Sequence, residues 1–260
     1  YRAGCCSGFY RLFTATPKTI KHFAKSIITM KLGKRLHSIN QMVVKHYDHI
    51  WDCCCDHGLL GMHLLMQHPS TTIHFVDTAP SLIETLESQL LKYYPDDCKQ
   101  PSSEKKWQVH CLSAESIFLQ DNTSNLIIIA GVGGELLIEI VEAIVSAHPN
   151  KVLAFLLCPV HHNYKVRQAL IRLNLGLVDE KLIKENKRFY EVIYVTTDTK
   201  QAVSSVGSLM WDFSREDDRL YFQQTLNHYE RMLKTDNASI SKLTQEILTD
   251  YQKLHSTFNS

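Results

Sequence analysis

Between residues 49 and 196 the chain alternates short apolar runs with helix-like segments, and this alternation limits its fold more than any other feature. The runs fall at His49–Cys54, Thr72–Val76, Trp107–Cys111, Leu126–Ala130, Val152–Leu157 and Glu191–Thr196. Between them lie stretches of helical pattern at Leu59–Gln67, Ser81–Tyr94, Glu135–Ala147 and Tyr164–Leu173. A strand that hands over to a helix and then to another strand is the unit of a parallel sheet, because parallel neighbours need a long crossover connection. The pattern predicts an α/β domain built on a mostly parallel, doubly wound sheet with helices on both faces. Pro95–Lys106, with its Pro, Asp, Ser and Lys residues, reads as a loop.

Helices flank this core. Leu32, Leu36, Ile39 and Val43 recur at three- and four-residue spacing, which predicts a helix over Lys31–Val44. Beyond Thr197, Asp212–Lys234 and Ser239–Thr257 read as two helices that turn back on each other at Thr235–Ala238, a C-terminal helical hairpin. Ser214 and Asp217 resemble a capping box for the first of them. The expected organisation is an extension over residues 1–29, an α/β domain over 30–200 and a helical, coiled-coil-like region over 201–260. The extension is basic and lacks acidic residues, and Met30 reads as a natural start. Residues 1–29 are then upstream sequence or a basic targeting segment, although no apolar core or cleavage site supports the second reading.

Composition narrows the class. The formal charge of +1 is not the basic excess typical of a nucleic-acid binder, although a local basic patch can coexist with it. The eight cysteines include three in a row at Cys53, Cys54 and Cys55 and no C-x-x-C pair, so neither a zinc site nor a disulfide framework is expected. Reduced thiols imply a cytoplasmic location. No apolar run reaches the ~18 residues that would span a bilayer. No metal, membrane or protein partner is expected.

Candidate chemistry sits where the runs end. In doubly wound sheets ligands bind beyond the carboxyl ends of the strands. The first run leads into Asp52-Cys53-Cys54-Cys55-Asp56-His57-Gly58, and an acidic residue there suits a zwitterionic ligand. The second ends at Asp77, 25 residues after Asp52, a spacing at which a carboxylate can accept both hydroxyls of a ribose; capping of the following helix is the structural alternative. Ser113-Ala114-Glu115 follows the third run, where an adenine would lie. Ala130-Gly131-Val132-Gly133-Gly134 follows the fourth, and its glycines allow close approach to the backbone. Cys158-Pro159-Val160-His161-His162 follows the fifth, and its paired histidines suit a phosphate or a base. The absent G-x-G-x-x-G lowers a dehydrogenase reading.

Taken in order, these motifs resemble the bacterial tRNA (adenine(22)-N1)-methyltransferase family. The resemblance starts at LGKRL (Leu32–Leu36), continues through D-x-x-x-DHG (Asp52–Gly58), IAGVGG (Ile129–Gly134) and LCP ahead of a helix containing Arg167, and closes at FYEV (Phe189–Val192). It implies a Rossmann-like class I methyltransferase sheet with a C-terminal helical hairpin, S-adenosylmethionine as methyl donor and tRNA as partner. Carried over by position, it places Asp52, Cys54, Asp56, His57, Gly58, Asp77, Ser113, Ala114 and Gly131 around the cofactor. Asp56, Gly133 and Gly134 fall at the junction where the methyl group meets its acceptor. Lys31, Lys34, Arg35, His161, His162 and Arg167 are candidates for RNA contacts. Three positions depart from the family pattern. Cys54 stands where glycine is usual, Ser113 or Glu115 replaces an Asp near the adenine, and Cys158-Pro159-Val160 replaces Gln-Pro-Asn. A methyltransferase acting on another substrate, and a non-catalytic RNA- or nucleotide-binding relative, stay open at this point.

Overall fold

The computed structural model describes residues 32–94, 105–235 and 238–258. The N-terminal extension with Lys31, most of the loop at Pro95–Lys106 and the centre of the C-terminal turn lie outside the described residues. The chain runs α1 (Lys34–Met42), β1 (His49–Cys53), α2 (Leu59–Gln67), β2 (Thr72–Asp77), α3 (Pro80–Tyr93), β3 (Trp107–Cys111), a 3-10 turn (Ala114–Ser116), β4 (Asn125–Ala130), α4 (Gly134–Ala147), β5 (Leu153–Cys158), α5 (Asn163–Arg172), β6 (Gly176–Glu185), β7 (Arg188–Thr196), α6 (Glu216–Thr235) and α7 (Ala238–Phe258). None of the described helices is long and apolar enough to cross a membrane.

All seven strands form one sheet in the order β3-β2-β1-β4-β5-β7-β6. The first five are parallel, and β7 inserts antiparallel beside β5. Alternation along each strand divides the core. Ile50, Ile73, Phe75 and Leu126 face one way, toward Ile39 of α1, Leu64 of α2 and Leu86 of α3. Trp51, Cys53, Val76 and Ile127 face the other, toward Leu137 and Ile144 of α4 and Leu170 of α5. Burial on both faces explains why these strands read as continuous apolar runs. A third cluster, with Leu182, Trp211, Phe222 and Tyr251, seats α6 and α7 against the β6–β7 hairpin.

The structure corrects the sequence expectation at two points here. Gly176–Glu185 is a strand that the sequence reading did not assign, and it pairs with β7 as an antiparallel hairpin at the edge of the sheet. Ser214 does not cap α6. Its N–H and hydroxyl both donate to the Asp212 carboxylate, and Asp218 accepts the Asp212 N–H at 2.8 Å.

Candidate functional site

Strand order reverses between β1 and β4, because the chain leaves β1 toward β2 and β3 and returns on the other side as β4 and β5. Loops after two such strands run to opposite sides of the sheet and leave a crevice between them. Register fixes the neighbourhood: Cys53 lies opposite both Val76 and Ile129, Asp77 opposite Cys111, and Ala130 opposite Cys158. The turns after β1 to β5 therefore share one edge.

The turn after β1 has an unusual backbone. Cys54, Asp56 and Gly58 all take positive φ, at 57°, 52° and 66°. Left-handed conformations cost little for glycine and more for a residue with a Cβ. Cys54 thus occupies the conformation that glycine would serve, while its half-buried side chain packs onto the second core cluster. Burial, then the carboxylates of Asp77 and Asp52, push its thiol up to about 11. That thiol stays protonated at neutral pH.

Two acidic residues organise the crevice. Asp52 is buried, and its Oδ2 accepts the Gly61 N–H at 2.9 Å. Burial raises its pKa to about 7, with the Gly61 N–H opposing and Asp77 reinforcing the shift. Asp77 is half-buried at the end of β2. One carboxylate oxygen accepts the Asp56 N–H at 3.1 Å and the other the Ala79 N–H at 3.0 Å. Asp77 thus fastens the β1 turn and supports the start of α3. Each oxygen retains a lone pair for another donor. Its carbonyl accepts the Leu112 N–H at 3.0 Å, which sets Ser113 and buried Ala114 beside it. Asp56 and His57 are exposed on the rim, the carboxylate 3.6 Å from His57 Nε2.

The turns after β4 and β5 are sewn together. Gly131 N–H donates to the Cys158 carbonyl at 3.2 Å, and Val160 N–H to the Val132 carbonyl at 2.9 Å. Gly131 has φ +86°, and a Cβ there would meet Arg35 Nη1 at 3.5 Å. Gly133 and Gly134 are also required by packing. A Cβ on Gly133 would lie 2.8 Å from the His161 ring, and one on Gly134 would lie 2.7 Å from the His161 carbonyl. Their missing side chains make room for the neighbouring loop, a packing constraint at the edge where the sequence placed the methyl-transfer junction.

The expected RNA-contact residues divide. Lys34 is exposed. Arg35 sits at the junction: its Cζ lies 5.1 Å from the Tyr190 ring centroid, and its buried Nε has no hydrogen-bond partner among the described residues. His161 and His162 are exposed, and both face Glu135, with His161 Nδ1 3.9 Å from Glu135 Oε2. Arg167 is a correction. It is 1% exposed and pairs with Glu180 and Glu191 at 2.7 Å each, so it holds the core to β6 and β7 and cannot meet a phosphate. Tyr221 of α6 donates to the other oxygen of Glu191 at 2.7 Å, which ties the C-terminal helices to the same charge cluster.

Two cavities lie at opposite edges of the sheet. One of about 700 Å3, lined by Lys45, Tyr47, Asn125 and Lys151, opens at the amino ends of β1, β4 and β5, the wrong edge for a ligand of a doubly wound sheet. The other, about 570 Å3, lies beyond β5 and is lined by His161, His162, Arg188, Tyr190, Tyr221 and His228. Tyr190 belongs to its wall and also underlies Arg35, so the cavity adjoins the Gly131 turn. Sequence reasoning missed Glu135 and Tyr221, which carry no motif of their own, and saw Tyr190 only as the second letter of FYEV. Glu191 was visible only as the third letter of FYEV.

Comparison with known proteins agrees with this geometry. No curated protein matches the chain in sequence. Among solved structures, the tRNA (m1A22) methyltransferase of B. subtilis superposes with a TM-score of 0.62 at 20% identity, covering 86% of this chain and 97% of that one. The M. capricolum enzyme, solved with S-adenosyl-homocysteine, gives 0.65 at 13% identity over 86% and 97%. A Streptococcus agalactiae protein of the NADB-Rossmann superfamily gives 0.66 at 16% over 86% and 96%. These likenesses establish the fold. A methyltransferase-domain family model matches residues 32–193, a span that takes in every turn of the crevice. The chain therefore belongs to the methyltransferase-domain family.

Proposed function

We propose that the chain transfers the methyl group of S-adenosylmethionine to N1 of an adenine in tRNA, with position 22 as the target. The observation that carries the reading is the convergence of Asp52, Asp77 and the Gly131 turn on one switch point in a methyltransferase domain. Support for the tRNA acceptor comes from the solved relatives, two of which bear that activity or its name and are covered over 97% of their length.

The residues fit the cofactor. Asp77 keeps a free lone pair on each oxygen for the two ribose hydroxyls. Leu112, Ser113 and Ala114 offer an apolar and backbone-rich seat for an adenine at the end of β3. Asp52 and the left-handed β1 turn suit the ammonium and carboxylate of the methionine portion. When bound, that cofactor supplies a methyl group carried on a cationic sulfur.

Adenine N1 carries a lone pair and is uncharged near neutral pH, so no strong base is needed. The protein's task is orientation, which can contribute up to roughly 7–11 kcal/mol when the attack line is fixed. N1 lies on the Watson–Crick edge, so the base must leave its stack at a cost of a few kcal/mol. Arg35, whose Nη1 lies beside Gly131, is placed to hold the incoming nucleotide, and exposed Asp56 to accept from its exocyclic amine. The cavity lined by Tyr190 and Tyr221 gives a flipped base or its neighbour aromatic surface. Free cysteines at Cys53, Cys54, Cys55, Cys111 and Cys158 support the cytoplasm as the place of action.

The test is incubation with isotopically labelled S-adenosylmethionine and unmodified tRNA, followed by nucleoside mass spectrometry and mapping of the product. Label in 1-methyladenosine at position 22 is expected. Label in another nucleoside would overturn the target, and cofactor binding with no transfer to any tRNA would favour a non-catalytic relative.

A further inference from the structure

Glu135, His161 and His162 form a cluster that the methyl-transfer reading does not use. One ligand atom from each lies within 4.8 Å of the others. Their closeness is built into the backbone. Adjacent residues on an extended chain point to opposite sides. His162 breaks that alternation with φ +63°, at the position preceding α5, and the two imidazoles turn to the same side. Their centroids are 4.3 Å apart, edge to face. Glu135, in the first turn of α4, reaches across to both: Oε1 contacts His162 Nδ1, and Oε2 lies 3.9 Å from His161 Nδ1. Gly133, whose Cβ would collide with the His161 ring, keeps the space open.

We propose that Glu135, His161 and His162 constitute a binding site for a divalent transition-metal ion of the zinc class. Two imidazoles and one carboxylate are the donor set of open, three-ligand zinc sites. Tetrahedral bonds of about 2.0–2.1 Å require ligand atoms about 3.3 Å apart. Rotation of three side chains that are each about half exposed closes the remaining gap without moving the backbone. A fourth position stays open to water. Lys165 is the resident competitor, its Nζ 3.4 Å from Glu135 Oε1, and a bound cation would displace it. The site adjoins the cavity beyond β5, so an ion there would stand at its mouth. The proposal is independent of which substrate the protein methylates.

Cobalt(II) is the probe, titrated into the full chain at pH 7.5, with visible d–d absorption and calorimetry as readouts. The intact protein is expected to bind one equivalent with the band of a low-coordinate N,O site. His161→Ala/His162→Ala should lose that equivalent, and Glu135→Gln should weaken it at least tenfold. Both should keep the melting temperature of the parent, because the side chains are exposed. Lys165→Met should bind about threefold more tightly or better. Equal binding by the parent and the double-His variant would overturn the site. So would a near-ultraviolet thiolate charge-transfer band, which would place the ion on cysteines instead.

Discussion

Asp52 and the pair Glu180–Glu191 are buried carboxylates in one molecule, yet they are treated in opposite ways. Glu180 and Glu191 share the Arg167 guanidinium, and Glu180 also takes backbone N–H groups from Ser208 and Leu209, the latter at 2.6 Å. Burial alone would raise the pKa of Glu180; Arg167 and these N–H groups overcome it and hold the group below the ordinary carboxylate range. Among the described residues Asp52 has one N–H donor and no cation, and its pKa rises to about 7. The first arrangement is closed within the protein. The second leaves a carboxylate that the described residues do not neutralise, and on this the proposed cofactor role of Asp52 rests.

The comparison breaks most visibly at Arg167. Arg167→Met leaves two glutamates buried without a counter-charge, a loss of about 3–5 kcal/mol. At about 2–4 °C per kcal/mol for a chain of this size, thermal melting should fall by roughly 10 °C. The triple change Arg167→Met, Glu180→Gln, Glu191→Gln should recover most of that drop, since buried pairs contribute little net stability over neutral replacements. A triple variant as unstable as the single one would mean that the cluster is not a self-contained unit.

Asp52 should behave in the reverse sense. A folded pKa near 7 against an ordinary value of 3.8 means that the folded protein holds the extra proton between those values. Its contribution to stability is present in acid, is lost as pH rises through about 7, and is a penalty above that. Asp52→Asn keeps an acceptor for Gly61 N–H and removes the charge. At pH 8 the variant should melt at least about 2 °C higher. Its affinity for S-adenosylmethionine should fall tenfold or more, because the ligand's ammonium loses its carboxylate. Calorimetry and melting curves on the same preparation read both effects. Unchanged affinity would remove Asp52 from the site.

A third treatment of a buried titratable group is neutrality. His74 stacks on Trp51 at 3.8 Å between ring centroids and hydrogen-bonds His49 at 2.9 Å and His110 at 3.0 Å, across three adjacent strands. Burial, then the neighbouring His110 and His49, push it down to about 2. The unfolded chain takes up a proton below about pH 6.5 that the folded chain refuses. Stability is therefore full above that pH and falls by about 1.4 kcal/mol per unit as pH drops. Denaturant unfolding at pH 7.5, 6.5 and 5.5 should show this slope, and His74→Phe should reduce it by about one proton. An unaltered slope would assign the acid sensitivity to other groups.

The same contrast explains what the sequence could reveal. Strands buried on both faces write themselves as apolar runs, so β1 to β5 were legible, as was the edge where their turns meet. Strand β6 was not. Its Asp179, Glu180, Lys181, Lys184 and Glu185 belong to a hairpin at the sheet's margin, half covered by the C-terminal helices, and no period marks it. Missing that strand also misled the reading of Arg167, because one of its two partners lies on it. A lone arginine on a helix reads as surface charge until its counter-ions are known. Cys54 was legible as a departure, and its φ of 57° shows why the position is demanding. Glu135 and the paired histidines lie 26 residues apart in sequence and meet only because β4 and β5 are neighbours.

The finest distinction lies on the helix that opens the fold, between two adjacent basic residues. Lys34 is exposed, whereas Arg35 leans on Tyr190 and lies beside Gly131. If tRNA is the substrate, Lys34 is a phosphate contact and Arg35 a contact to the reacting nucleotide. Lys34→Ala should then weaken tRNA binding only a few-fold, uniformly across tRNAs, and lower the slope of log affinity against log salt by about one. Arg35→Ala should leave that slope nearly unchanged and reduce the methylation rate at saturating tRNA. Filter binding across a salt series and single-turnover assays separate the two. Equal salt slopes for both variants would mean that Arg35 is one more backbone clamp, and the base would have to be held from the β5 side of the crevice instead.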